Sequence, residues 1–274
     1  MSDDLDPDGL DAEEAVPEGY DAVGSDDSPP GVEAPSGAAA IFGPFFNAIL
    51  APSQCWEALD AKPKLAAWIA VWIAALVTVT EVVKLPATLP ASVSIGRYQI
   101  EAAGGEVTAQ SLRTIELFAT ISAYAFTPVM MLVVIALTAA VIWVFASLMG
   151  GTGVTFGRSF ALASAGAVVK PFLNNVYIAV VLRLSPPEIR RPQDMTLLQP
   201  SLGLDLFLPT SDTPVWLIAV LKRVDLFSIW WIVLVSAGAI PLLKLSKGQG
   251  RAMTLIIWSL GTVVATAFAL LFAS

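Results

Sequence analysis

The sequence contains no histidine and only one cysteine, Cys55, among its 274 residues. Without histidine the chain lacks the commonest metal ligand and proton shuttle, which excludes Ser-His-Asp and Cys-His catalysis. A single cysteine forms neither an intramolecular disulfide nor a paired-cysteine metal site. We therefore predict no catalytic residues, no metal site and no cofactor, and we expect the protein not to be an enzyme.

Charged residues are also scarce, since they make up 14% of the chain, whereas soluble domains average about 25%. Apolar residues account for 56%, with eight Trp and thirteen Phe, and the mean hydropathy is +0.73. This composition predicts an integral membrane protein that has the lipid bilayer as its first partner. It excludes a nucleic-acid-binding domain, a secreted disulfide scaffold and most soluble enzymes.

Basic residues are absent from the first 36 positions, which hold twelve of the 23 acidic residues. The rest of the chain contains eleven acidic and fifteen basic residues, so the body is basic although the whole chain carries a net charge of −8. A segment rich in Asp, Glu, Gly and Pro cannot bury enough apolar surface to offset its ordering entropy. We predict a disordered acidic tail over 1–40 and a membrane domain over 41–274. The tail is either a solubilising segment or a docking arm for a basic protein partner.

Long uncharged intervals in the body locate the membrane spans, because a bilayer core of about 30 Å needs roughly 20 apolar residues in a helix. Five such spans are predicted, at about 65–83, 125–149, 160–182, 226–243 and 252–272. The chain is therefore expected to form an all-α helical bundle in a membrane. Between the spans, 84–116 and 183–225 are predicted to be connections, with an interfacial helix at 215–224 leading into the fourth span.

Two short apolar segments, 41–50 and 53–59, precede the first span and are separated by Pro52. Each is too short to cross a bilayer, so we predict short interfacial helices in the headgroup layer, with Trp56 as an anchor. Ser53 has a side chain suited to a helix N-cap. The alternative is that these segments fill the groove of a soluble partner.

The third span contains Lys170-Pro171 and Asn174-Asn175 near its middle. A lysine at this depth costs about 2.5–3.5 kcal/mol on insertion scales, so its ammonium is expected to face the bundle interior or water. Pro171 removes a backbone N–H, which predicts a kink or an unwound turn. Lys170, Asn174 and Asn175 are therefore a candidate polar site for an anionic lipid head group or a small solute. The alternative is a broken span in which Lys170 reaches an interface.

The basic residues also bear on the orientation of the chain. With the N-terminus inside, the cytoplasmic segments hold six Lys and Arg residues, and the segments on the other side hold eight. Charges in short loops close to span ends dominate orientation, and Lys244, Lys247 and Arg251 share one eight-residue hairpin. We predict a cell-membrane protein with a cytoplasmic N-terminus and its C-terminus on the opposite side.

Three stretches of the sequence together resemble the Yip domain family, which is named after Ypt/Rab-interacting membrane proteins. They are 49–63 with its Leu-x-Pro and Trp, 148–162 with a Gly-Gly turn, and 224–230 with Phe-Ser-Ile-Trp, followed by a Ser-Lys hairpin at 246–252. The resemblance extends over about 44–272, in the order and spacing of the family.

The resemblance implies an all-helical five-span domain with a cytosolic N-terminus and no known enzymatic activity. Eukaryotic members act in vesicle trafficking and contact Rab GTPases, and they carry an Asp-Leu-Tyr-Gly-Pro motif ahead of the spans. At the matching positions this sequence has Ala40-Ile41-Phe42-Gly43-Pro44, which keeps an aromatic residue and Gly-Pro. The short body and brief loops look more like those of prokaryotic members.

From these features together we predict a non-enzymatic membrane scaffold or adaptor, with a homo- or hetero-oligomer left open. The alternative is a small transporter or channel component that uses the polar third span around Lys170. The orientation of the Lys170 ammonium separates the two hypotheses, because a transport pathway needs it to face water and a scaffold needs only a closed helix contact.

Overall fold

The computed structural model describes residues 38–187, 197–208 and 213–271. Of these residues 84% are helical, and they include no strand beyond one isolated antiparallel bridge between Gly203 and Asp225. The predicted all-α fold is therefore confirmed. The predicted acidic tail lies outside the described residues, apart from the short stretch that follows residue 37.

The described part of the chain folds into eight helices, with a short 3₁₀ turn at Leu204–Phe207 before the sixth. In chain order the helices are α1 (Ala38–Leu50), α2 (Pro52–Ala61), α3 (Leu65–Ala102), α4 (Ala109–Leu148), α5 (Phe156–Leu184), α6 (Val215–Leu221), α7 (Leu226–Leu243) and α8 (Lys247–Leu271). Five of them, α3, α4, α5, α7 and α8, are long and apolar enough to cross a membrane. The predicted number of spans is confirmed, and α7 has the predicted limits.

Helix α3 continues well beyond the predicted end of the first span at residue 83. Its 38 residues extend over about 57 Å, although the bilayer core is only about 30 Å thick. Pro86 and Pro90 lie inside the helix, where each proline keeps a helical φ but removes one backbone hydrogen bond. Packing against α4 stabilises this segment, and most of the predicted connection is therefore helical.

The extended parts of α3 and α4, residues 84–102 and 109–121, pack side by side, and we call them the α3–α4 arm. Gly96 lies directly against the side chain of Ile115, which leaves no room for a Cβ atom at position 96. At the start of α4, Thr108 and Ser111 cap each other reciprocally, each side chain accepting from the other residue's backbone N–H over 3.1 Å. The arm is thus closed by specific local contacts at its tip.

Helix α5 passes through Lys170 and Pro171 without a break. Residues Val168–Leu173 form a wider π turn, and the α-helix resumes at Asn174. A π turn shifts the hydrogen-bonding register by one residue, which accommodates the missing N–H of the proline. The third span is therefore continuous, and the predicted local irregularity takes the form of this turn.

Small residues allow α5 to pack closely against α3, α4 and α7. Its first turns bury a run of them, namely Ala161, Ala163, Ser164, Ala165, Gly166 and Ala167. Side chains without bulk let helix backbones approach each other in a membrane. Larger apolar residues of the neighbouring helices, such as Ile69, Ile142 and Leu234, complete the core.

Helices α1 and α2 precede the first span, as predicted, but they pack into the bundle. Trp56 is only 4% exposed, so the prediction that it anchors the chain in the headgroup layer is wrong. Its indole lies against Gly238 of α7, where only a glycine leaves space for it. The predicted N-cap is also wrong, because α2 begins at Pro52 and Ala51 occupies the cap position without a side-chain hydrogen bond.

Candidate functional site

The three residues of the predicted polar site do not form one cluster. Lys170 contacts α7, whereas Asn175 contacts α3. Asn174 is half-buried, and its side chain makes no hydrogen bond within the described part of the chain. The structure therefore divides the candidate site into two separate interhelical contacts.

The first contact joins Lys170 to the start of α7. The Lys170 ammonium donates a hydrogen bond to the hydroxyl of Ser228, which in turn donates to Asp225 Oδ2 over 2.8 Å. The same carboxylate oxygen lies 3.9 Å from Lys170 Nζ. Asp225 is the N-cap of α7, since its Oδ1 accepts from the Ser228 backbone N–H over 2.6 Å. The cap therefore fixes the carboxylate in a position where it also neutralises the lysine.

A second cation lies close to this contact. Burial lowers the pKa of the Arg223 guanidinium, and the nearby Asp225 carboxylate raises it. Among the described residues, Lys170 and Arg223 therefore share one buried carboxylate, which leaves a local excess of one positive charge. The arrangement suits an anionic group chemically, but its closest anionic partner is already part of the protein.

The second contact joins Asn175 to three polar residues of α3. The Asn175 Oδ1 atom accepts a hydrogen bond from Lys84 Nζ over 2.5 Å, and its Nδ2 atom donates to Thr80 Oγ1 and Glu81 Oε1, each over 3.0 Å. Lys84 also forms an ion pair with Glu81 over 2.7 Å. Each of the four side chains thus has a partner, and together they hold α3 and α5 in register.

The contact of Asn175 with Lys84 was not predicted, because the two residues lie 91 positions apart in the chain. A signal was nevertheless present. Polar side chains in two apolar helices require partners in a membrane, and the candidates in the first and third spans were few. The partnership of Lys170 with Asp225 and Ser228 was missed for the same reason.

A third polar cluster, which was not predicted, lies at the end of the bundle where α3 and α5 begin. Arg158 Nη2 donates to Asp60 Oδ1 over 2.9 Å, and its Nη1 donates to the Gly153 carbonyl over 3.1 Å. Lys244 Nζ lies 3.8 Å from the other oxygen of Asp60. Asp60 therefore connects the end of α2 with the start of α5 and the end of α7.

Two cavities lie in the α3–α4 arm rather than beside Lys170 or Asn175. The first, of about 1050 Å³, is lined by uncharged residues that include Gln99, Thr114 and Phe118. The second, of about 710 Å³, has Arg97, Glu101 and Glu116 at its margin. Within the described residues no group of three or more Cys, Asp and Glu side chains is arranged to hold a metal ion.

Comparison with known proteins gives one match. The family model described as the Yip1 domain matches residues 46–269, which is most of the chain. No curated protein and no solved structure matches the chain.

Proposed function

Because the chain belongs to the Yip1 domain family, we propose that it is a non-enzymatic membrane scaffold or adaptor that organises protein partners or lipids. Five helices long and apolar enough to cross a bilayer make it a multi-pass membrane protein. The family is not known for an enzymatic activity.

The contact of Lys170 with α7 is the observation that carries this proposal. A transport pathway through the third span requires the Lys170 ammonium to face an aqueous route. Its hydrogen bond to Ser228 and its proximity to Asp225 instead direct it to the neighbouring helix. The polar groups around Asn175 are likewise bonded to one another across α3 and α5. Interhelical contacts of this kind support a rigid bundle.

Reconstitution into liposomes tests the proposal against the alternative of a transporter or channel component. Potassium and chloride fluxes are measured for the wild-type protein, for Lys170→Met, and for Lys64→Met as a control in which an exposed lysine is lost. We expect no flux that depends on Lys170. A flux that is present in the wild type and in Lys64→Met but absent in Lys170→Met contradicts the scaffold proposal.

We also propose a polar site that is smaller than the one predicted from the sequence. Lys170 is its centre, with Arg223 as the second cation, whereas Asn174 and Asn175 lie outside this contact. If Lys170→Met leaves the membrane level, the fold and every assayed phenotype unchanged, this site has no role in function.

Partners of the proposed adaptor are identified by co-purification from native membranes. The full chain is compared with a chain that lacks residues 1–36, which carry twelve acidic and no basic residues. A partner that is lost with this segment supports a docking arm, and a partner that is retained assigns binding to the bundle. The absence of any stoichiometric partner or further copy in both preparations contradicts an adaptor role.

We also propose a cytoplasmic N-terminus, with the C-terminus on the other side of the cell membrane. The short connections at 62–64, 149–155 and 244–246 lie at the same end of the bundle as the start of α3. Lysines in or beside these short connections favour the cytoplasmic side. A cysteine introduced at Lys62 is therefore expected to react with an impermeant maleimide only after the cell membrane is opened.

A further inference from the structure

Positive charge is concentrated at the end of the bundle where α3, α5 and α8 begin. Six cations lie in or beside the three short connections at this end, and we call them the basic face: Lys62, Lys64, Arg158, Lys244, Lys247 and Arg251. Among the described residues of this end the acidic side chains are Glu57 and Asp60. The basic face therefore has an excess of four positive charges.

The inner part of the basic face is held in place by the protein. Asp60 pairs with Arg158 over 2.9 Å and with Lys244 over 3.8 Å. The start of α8 is joined to the connection at 149–155, because Gln249 Nε2 donates a hydrogen bond to the Met149 carbonyl oxygen over 2.7 Å. The Lys244 side chain nevertheless remains 48% exposed. These contacts fix the cations without removing them from the surface.

The outer cations have no acidic partner among the described residues. Lys62, Lys64, Lys247 and Arg251 are exposed, and none of them forms an ion pair within the part of the chain that the structure describes. All four lie within a few residues of the ends of apolar spans, which is the level of lipid head groups. They are therefore available to negative groups of the bilayer itself.

The opposite end of the bundle has no such excess. Its described residues comprise seven cations and six acidic residues, an excess of one: Lys84, Arg97, Arg113, Lys170, Arg183, Lys222 and Arg223 with Glu81, Glu101, Glu106, Glu116, Asp205 and Asp225. Lys84 is paired with Glu81. Within the described residues, the excess of positive charge is therefore larger at the basic face than at the opposite end.

We propose that the basic face binds the phosphate groups of anionic lipids in the leaflet that it contacts. A Lys or Arg at an anionic membrane surface contributes about a fivefold gain in affinity, and the attraction decays within a Debye length. This site is separate from Lys170 and its partners, which lie at the start of α7. Lipid binding at the basic face is compatible with both a scaffold and a transporter.

The test uses the full chain in nanodiscs of phosphatidylcholine with and without phosphatidylglycerol. The readout is the shift in thermal unfolding midpoint that phosphatidylglycerol produces, together with the amount of this lipid retained on purification. We compare the wild type with the triple variant Lys62→Gln, Lys64→Gln and Lys247→Gln, whose three lysines are exposed and form no ion pair with a described residue. The triple variant is expected to bind phosphatidylglycerol about a hundredfold more weakly and to lose most of the shift.

Two controls separate a specific site from net charge. Arg97→Gln, Arg113→Gln and Lys222→Gln remove the same charge from the opposite end and are expected to keep the wild-type shift, and a triple Lys→Arg variant of the basic face is expected to keep it as well. An equal loss in both glutamine variants, or no loss in the basic-face variant, overturns the proposal. A shift of equal size with inorganic phosphate in place of the lipid overturns the assignment to lipid.

Discussion

The indole of Trp56 lies directly against Gly238, and a Cβ atom at position 238 would come within 2.8 Å of its Cε2 and Cζ2 atoms. The same Cβ would lie 2.6 Å from Leu162 Cδ1. This contact brings α2 into the bundle between α5 and α7. It also explains why a tryptophan close to the first span is a core residue here.

Substitution of Gly238 by alanine is expected to destabilise the protein by about 1–3 kcal/mol, because the rigid indole cannot move aside without displacing α2. Gly261→Ala is the matched control, since position 261 lies on α8 with no heavy atom within 4 Å of its Cβ site. Thermal unfolding of the purified variants in detergent measures the difference. Equal unfolding midpoints for Gly238→Ala and the wild type would contradict the packing described here.

Asn174 and Asn175 form a natural pair for testing the contact between α3 and α5. Asn175→Ala leaves the Lys84 ammonium and the Thr80 hydroxyl without their partner in α5, which is expected to cost about 1–3 kcal/mol. Asn174→Ala, which removes no hydrogen bond seen in the described residues, is expected to lie much closer to the wild type. Chemical or thermal unfolding in one detergent compares the two, and the reverse order of stability would show that the interhelical contact is wrong.

Cys55 is expected to resist thiol reagents in the folded protein. It is fully buried, and burial raises the pKa of its thiol from 9.0 to about 12. At pH 8 the thiol is then almost entirely protonated, and the thiolate is the reactive form. The raised pKa favours the folded state below pH 9, and this contribution is lost as the pH rises from 9 towards 12.

A gel-shift assay with a maleimide-linked polymer measures this protection. The wild type is expected to be modified only after denaturation in SDS, whereas Lys62→Cys, which places a thiol at an exposed position, is modified without it. Similar rates for both thiols in native detergent at pH 8 would mean that α2 does not remain packed in the bundle.

The number of spans was predictable from the sequence because the bilayer imposes a length on every uncharged apolar helix. Helix α7 lies between Asp225 and Lys244, and its limits match the prediction. The end of α3 does not match the prediction, because Lys84, Pro86 and Pro90 were interpreted as the start of a connection. A proline interrupts one hydrogen bond but leaves a helical φ, and packing against α4 determines whether the helix continues. Such packing is a long-range property that local sequence does not reveal.

The polar groups of the third span were predictable as residues but not as contacts. Lys170 and Asn175 were selected because a buried ammonium or amide needs a partner in a membrane. Their partners lie 58 and 91 positions away in the chain. Asn175 follows Lys170 by five positions, in a helix with an intervening π turn. The two side chains consequently point to different neighbours. Asp60 was overlooked because nothing in its surroundings in the sequence indicates Arg158 or Lys244.

The α3–α4 arm is long enough to extend beyond the bilayer at the end of the bundle opposite to the basic face. From Lys84 to Ala102 the helix rises by about 27 Å, and the turn at 103–108 is the farthest point of the pair. With the first and second spans in the bilayer at the predicted 65–83 and 125–149, we expect this tip to lie outside the bilayer. An epitope inserted between Gly104 and Gly105 would accordingly stand clear of the bilayer, while the helices that support it remain fastened through Gly96 and Ile115.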